Sequence, residues 1–79
     1  MWYVYVLKSA VDKKLYIGST EDISRCLNEH NSGQVEATKN QTPLILETYI
    51  ASKSKSQAEK LEEYFKTPSG RGILTHRIL

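Results

Sequence analysis

Trp2-Tyr3-Val4-Tyr5-Val6-Leu7 and Leu15-Tyr16-Ile17-Gly18 are the two stretches that decide the fold. The first is aromatic and β-branched almost throughout, the composition of a strand. The second reads as a shorter strand. Between them Lys8 to Lys14 is mostly polar and holds Asp12. So short a connection favours an antiparallel hairpin over a crossover. A turn centred near Ala10–Val11 sets Tyr5 opposite Tyr16. Cross-strand partners share one face of a sheet, so two phenols are expected to project side by side.

Downstream, the pattern changes from strand to helix. Ser19 or Thr20 can cap a helix, and Glu21 and Asp22 suit the positive end of its dipole. Ile23 and Leu27 are four apart, and Gly33 is a fitting terminator. At about 100° per residue, Cys26 and His30 fall on the same face as Ile23 and Leu27, while Arg25 points nearly the opposite way. Asn31 to Pro43 is a long polar loop, of a kind that is often functional. Leu44 to Ile50 is a third strand. Ser54 with Gln57, or Ser56 with Glu59, opens a second helix. That helix carries Ala58, Leu61 and Phe65 at helical spacing. Pro68 and Gly70 stop it, and a short final helix is expected over Gly72–Leu79. The order ββαβα predicts an α+β fold: a three-stranded antiparallel sheet flanked by helices, one domain over residues 1–79.

Composition bounds the function. A chain of 79 residues has room for one small core. At 39% hydrophobic and 25% charged it is too apolar for disorder. Its longest apolar run, Trp2–Leu7, is far short of the roughly 20 residues that span a bilayer, so no membrane association is expected. Met1 leads straight into strand with no signal-peptide pattern. The single Cys26 excludes an internal disulfide scaffold and fits a reducing cytoplasm. The net charge of +2 is weak evidence for a nucleic-acid partner. Its distribution says more: residues 1–50 hold five Lys/Arg against six Asp/Glu, and residues 51–79 hold six against three. That basic second half is either a solvated surface or one that faces phosphate.

Few residues are candidates for chemistry. Glu62 lies on the border of the second helix's apolar stripe. It is either a surface carboxylate whose stem rests on the core, or a ligand for a hard cation. Cys26 and His30 share a helical face, but zinc normally takes three or four protein ligands. Only these two, with Glu62 or His76, are on hand, so a small core cysteine is the better reading. Tyr5 and Tyr16 could be packing aromatics. There is no phosphate-binding glycine loop and no Ser/His/Asp set.

Taken in order, these residues resemble the GIY-YIG endonuclease family, in its small single-domain bacterial form, which is excinuclease-like. Tyr16-Ile17-Gly18 is similar to the second half of the name motif, with Ser19-Thr20 following. Tyr3-Val4-Tyr5 stands for the first half, with Tyr5 as the motif tyrosine. His30-Asn31-Ser32-Gly33, Thr38-Lys39-Asn40, Pro43, and Ala58, Glu62, Lys66 and Gly70-Arg71 resemble the rest of the subgroup's pattern, which covers nearly the whole chain. The resemblance implies cleavage of DNA phosphodiesters with one divalent ion, Mg²⁺ or Mn²⁺. Glu62 would be the metal ligand, and Tyr5 the general base or orienter of the attacking water. Tyr16 and His30 would assist by hydrogen bonding, with Lys39, Lys66 and Arg71 on the backbone phosphates. One departure stands out. The family's catalytic arginine lies ten residues after the second motif tyrosine and four before the histidine, and both counts land on Cys26. A thiol cannot offer a phosphate the charged, bidentate fork of an arginine. A main charge stabiliser of this kind is worth on the order of 10³–10⁵ in rate. The expectation is therefore an endonuclease with weak or lost activity. The alternatives are a non-catalytic nucleic-acid-binding module on the same fold and a protein–protein adaptor using the sheet face.

Overall fold

The computed structural model describes residues 1–79. Its elements run β1 (Trp2–Ser9), β2 (Leu15–Thr20), α1 (Ile23–Asn31), β3 (Leu44–Ser52), α2 (Lys55–Phe65), α3 (Pro68–Ile73) and a terminal π-helical turn, Leu74–Ile78. The three strands form one antiparallel sheet in the order β2-β1-β3. The α+β architecture is the one the sequence predicts.

β1 is the central strand, and both of its faces are covered, which is why its apolar run is unbroken. Val4 and Val6 point to one side and pack with Ala58 and Phe65 of α2 and with Leu74. Tyr5 and Leu7 point to the other and pack with Leu44, Leu46, Tyr16 and the α1 residues Cys26 and Leu27. Val4, Val6 and Leu7 are each 1% exposed, and burying a side chain of this size contributes about 1.5–3 kcal/mol. The long β1 run is therefore the seam on which two small clusters meet.

The hairpin turns later than the sequence suggests. Leu7, not Tyr5, faces Tyr16, and Tyr5 faces Gly18. The turn is closed by backbone bonds from Ser9 N to Lys14 O and from Lys13 N to Ser9 O, both 3.0 Å. Lys13 takes a positive φ of 64°, and Asp12 Oδ1 accepts from Lys14 N at 3.0 Å. Composition does not reveal which residue will enter that left-handed conformation. The register changes by two residues, so facing is preserved: Tyr5 and Tyr16 still share a face, one step apart diagonally.

α1 also begins later than expected. Thr20 stays in β2, and Asp22 is the cap, its Oδ1 accepting from Arg25 N at 3.0 Å. Gly33 ends the helix region as anticipated, at φ 81°. Asn31 locks that end to β3 through two bonds to the Leu44 backbone: Asn31 Nδ2 donates to Leu44 O at 3.0 Å, and Leu44 N donates to Asn31 Oδ1 at 2.7 Å. These bonds draw together the two ends of the intervening loop. In β3, Val6 faces Thr48 and Leu7 faces Leu46, so Glu47 is an extra, bulged residue. Ser54 caps α2, accepting from Gln57 N at 3.2 Å. Pro68 ends nothing; it sits in the first turn of α3, where its fixed φ and missing N–H fit best. The final helical segment thus starts at Pro68 rather than at Gly72. Thr67 caps α3 through Gly70 N at 3.1 Å. Gly70 packs directly on the backbone of Tyr64 and Phe65, with no room for a Cβ, so α3 turns back tightly against the end of α2.

Candidate active site

β2 is an edge strand, and its outer edge is where side chains from both faces of the sheet meet. A cavity of about 340 Å³ there is lined by Tyr5, Tyr16, His30 and Thr38 from the α1 side. Leu15, Ile17, Lys66 and Arg71 line it from the α2–α3 side, with Ala37 at its rim. Five of the residues singled out from sequence, Tyr5, Tyr16, His30, Lys66 and Arg71, thus share one cavity, and Ile17 forms part of its floor. No carboxylate lines it, so its fixed charge is positive.

Tyr5 is held by what lies beneath it. A Cβ at Gly18 would collide with the Tyr5 phenol. Glycine is required at that position so that the ring can lie across β2 and bring its hydroxyl to the edge. There the hydroxyl meets His30 Nε2 at 3.4 Å, with the two rings edge-to-face at 6.0 Å. His30 Nδ1 is 2.7 Å from Thr38 Oγ1. Thr38 is 1% exposed and His30 7%. When Nδ1 carries the proton and donates to Thr38, Nε2 is an acceptor aimed at the Tyr5 hydroxyl. Burial pushes the Tyr5 phenol well above its ordinary pKa. The adjoining Cys26 side chain and the charges of Glu62 and Glu29 act in the same direction. Burial lowers the His30 pKa, partly opposed by Glu29. Both groups are neutral at pH 7.

Glu62 does not line the cavity. It stands on α2 beside the end of β2, with Oε1 accepting from Ser19 Oγ at 2.9 Å and Oε2 from Lys66 Nζ at 2.7 Å. Lys66, its ion-pair partner, is what reaches the cavity. Cys26 packs among Tyr5, Leu7 and Leu44 and is half-buried. Arg25, next to it, is turned outward and paired with Glu29 at 3.4 Å. Lys39 is paired with Glu36 at 2.9 Å and is not part of the cavity wall. Sequence reasoning does not pick out two of the participants as site residues. Thr38 belongs to a loop motif, and no local pattern betrays its buried hydroxyl. Ser19 reads as a helix cap, whereas β2 runs past it and turns its hydroxyl toward α2.

No group of three or more His, Cys, Asp or Glu side chains is placed to hold a metal. One carboxylate at an open edge, with no thiolate or imidazole beside it, fits a hard ion that keeps most of its ligands as water and substrate phosphate. Lys66 must leave Oε2 for such an ion to bind.

Comparison with known proteins identifies the family. Residues 1–74 match the GIY-YIG catalytic domain, and the chain belongs to that family. A UPF0213 protein of Vibrio campbellii is 39% identical over 66 residues, which cover 82% of this chain and 62% of that protein. A UPF0213 protein of Streptococcus agalactiae is 37% identical over 75 residues, covering 94% of this chain and 84% of the relative. The chain therefore spans less than two thirds of the Vibrio relative and most of the streptococcal one. No solved structure matches the chain significantly. The family has a nuclease-type function, acts on nucleic acid and is generally metal-dependent. No helix of the chain is long and apolar enough to cross a membrane.

Proposed function

We propose that the chain is a DNA endonuclease domain that hydrolyses phosphodiesters with one divalent ion, Mg²⁺ or Mn²⁺. We place the work at the β2 edge. The observation that carries this reading is the shared cavity, in which Tyr5, Tyr16 and His30 face Lys66 and Arg71 with no acid between them. Such a wall suits a phosphate backbone. Glu62 is the residue to hold the ion, which when bound would polarise the phosphate and ease departure of the leaving oxygen.

Within this reading the chain's own residues move the proton. A water oxygen forms a bond to phosphorus as the bond from phosphorus to the leaving oxygen breaks. The water's proton passes to the Tyr5 hydroxyl while the Tyr5 proton passes to His30 Nε2, and a solvent proton completes the leaving group. A phenolate would be costly at this buried position, so Tyr5 serves as a neutral relay and His30, neutral at pH 7, as the base. The relay uses the tautomer in which Nδ1–H donates to Thr38 Oγ1. Tyr16 donates to a phosphate oxygen. Position 26 offers no cation, which points to slow turnover. The occupation of both Glu62 oxygens favours a second reading, a non-catalytic module that binds nucleic acid through the same wall.

Cleavage of a nicked or branched DNA with Mg²⁺ or Mn²⁺ separates the two. Tyr5→Phe should lower the rate by about 10²–10⁴ if the relay operates. Glu62→Ala should abolish metal uptake, measured calorimetrically with a DNA oligomer present. Undiminished uptake in Glu62→Ala would remove Glu62 as the ligand, and salt-sensitive DNA binding with no cleavage under any metal would leave only the binding module.

A further inference from the structure

We infer that Arg71 supplies, from α3, the phosphate-directed positive charge that α1 lacks at position 26. This rests on the nuclease reading above and assigns a residue within it. Of the two cations in the cavity wall, Lys66 is held by Glu62 at 2.7 Å, and when an ion releases it, it offers a phosphate a single ammonium rather than a planar fork. Arg71 makes no ion pair. Arg25, Lys39 and Lys55 are likewise taken up by acids on their own segments. The one uncommitted guanidinium near Tyr5, Tyr16 and His30 is therefore that of Arg71.

Its placement is built rather than incidental. Thr67 caps α3 and Pro68 begins it, and Arg71 N donates to Thr67 O at 2.8 Å. Gly70 lies directly on the backbone of Tyr64 and Phe65. That close approach fixes where the next residue leaves the helix, and the next residue is Arg71. The side chain enters the cavity across the β2 edge from α1. A phosphodiester seated between Tyr16 and His30 would then receive the planar fork of Arg71 on its non-bridging oxygens. Position 26 does not line the cavity, but its side chain adjoins Tyr5, which does, so a longer side chain there would approach the same oxygens from α1. Charge that grows on those oxygens in the transition state is stabilised equally well from either side, provided the donor is held in place beforehand.

The test measures single-turnover cleavage of one DNA substrate, with its binding constant at several salt concentrations. The proteins are the parent, Arg71→Gln, Cys26→Arg and the double variant. Arg71 is exposed and unpaired, so Arg71→Gln should melt where the parent does. Its cleavage rate should fall by about 10²-fold or more, while binding weakens by no more than a single phosphate contact, about 0.9 in the salt slope. Cys26→Arg should restore at least tenfold of that loss in the double variant, because it returns a guanidinium to the same phosphate. A parent that cuts, with Arg71→Gln cutting equally fast, overturns the inference and leaves the nuclease reading intact. So does an inert parent made active by Cys26→Arg. If both parent and Cys26→Arg are inert with every divalent ion, the nuclease reading fails and the inference with it.

Discussion

Gly18→Ala is the substitution that asks most directly why the second motif ends in glycine. The backbone at position 18 is ordinary extended strand, so alanine meets no conformational penalty there. The obstacle is the Tyr5 ring. An added Cβ would overlap its hydroxyl and Cζ and lie 3.0 Å from Cε2. Tyr5 is only 9% exposed and is packed against Leu7 and Leu44, so displacing the ring disturbs that packing. Overpacking of this kind costs about 1–3 kcal/mol. In a domain of this size about 2 kcal/mol lowers Tm by roughly 8–16 °C. The ring's displacement also breaks the 3.4 Å approach to His30, so any Tyr5-dependent activity should fall with stability. Thermal denaturation of Gly18→Ala, Tyr5→Ala and the double variant forms a cycle that isolates the overlap. In the Tyr5→Ala background the cost of Gly18→Ala should nearly vanish, giving a coupling of about 2 kcal/mol. Additive effects, or a Gly18→Ala protein that melts within about 1 °C of the parent, would refute the idea that glycine is there to seat the phenol.

Folding should also depend on pH in two windows. His30 has its pKa lowered in the fold, so the native state binds fewer protons than the unfolded chain, and stability should decline as pH falls below about 6.5. Tyr5 has its pKa raised, so stability should decline again as pH rises above about 10, and Tyr5→Phe should remove only that second loss in urea titrations. Thr38→Val keeps shape but strips the partner from His30 Nδ1, and should cost about 1–3 kcal/mol. Thr38→Ser should restore the His30 tautomer, read from its ring nitrogen shifts, even where some stability stays lost.

The sheet is legible in the sequence because β1 and β2 carry strand composition that nothing else in the chain contradicts, and because the short connection leaves only a hairpin. Facing is legible too, since a register change of two residues returns every side chain to its own side. The register itself is not, because it depends on Lys13 entering a left-handed conformation that other polar residues in the turn could equally have taken. The start of α1 is hidden for a related reason. Thr20 and Asp22 are both good caps, and only pairing of Thr20 with Tyr3 across the sheet decides between them. Tyr5, Tyr16 and His30 can be grouped from sequence because parity and helical rotation are local rules. Thr38 and Ser19 cannot, because their partners lie 8 and 43 residues away and are met only when loop and helix close on the sheet.

An edge strand explains why these groups meet where they do. The two core clusters lie on opposite faces of β1 and cannot exchange side chains through it. Around β2 they can. Tyr5, Tyr16 and His30 arrive from the α1 face, and Lys66 and Arg71 arrive from the other. The α1 face is buried enough to hold both Tyr5 and His30 neutral, so it can carry a proton but offers no charge. On the α2–α3 side the Lys66 and Arg71 side chains are exposed to solvent. In the proposed nuclease, proton handling and charge are thus divided between the two faces of the sheet. Below the His30 pKa that division fails: a protonated imidazole adds a third positive charge to the wall while giving up the Nε2 lone pair that faces Tyr5. DNA binding should then tighten with acidification as Tyr5-dependent cleavage declines, two opposite trends arising from a single titration.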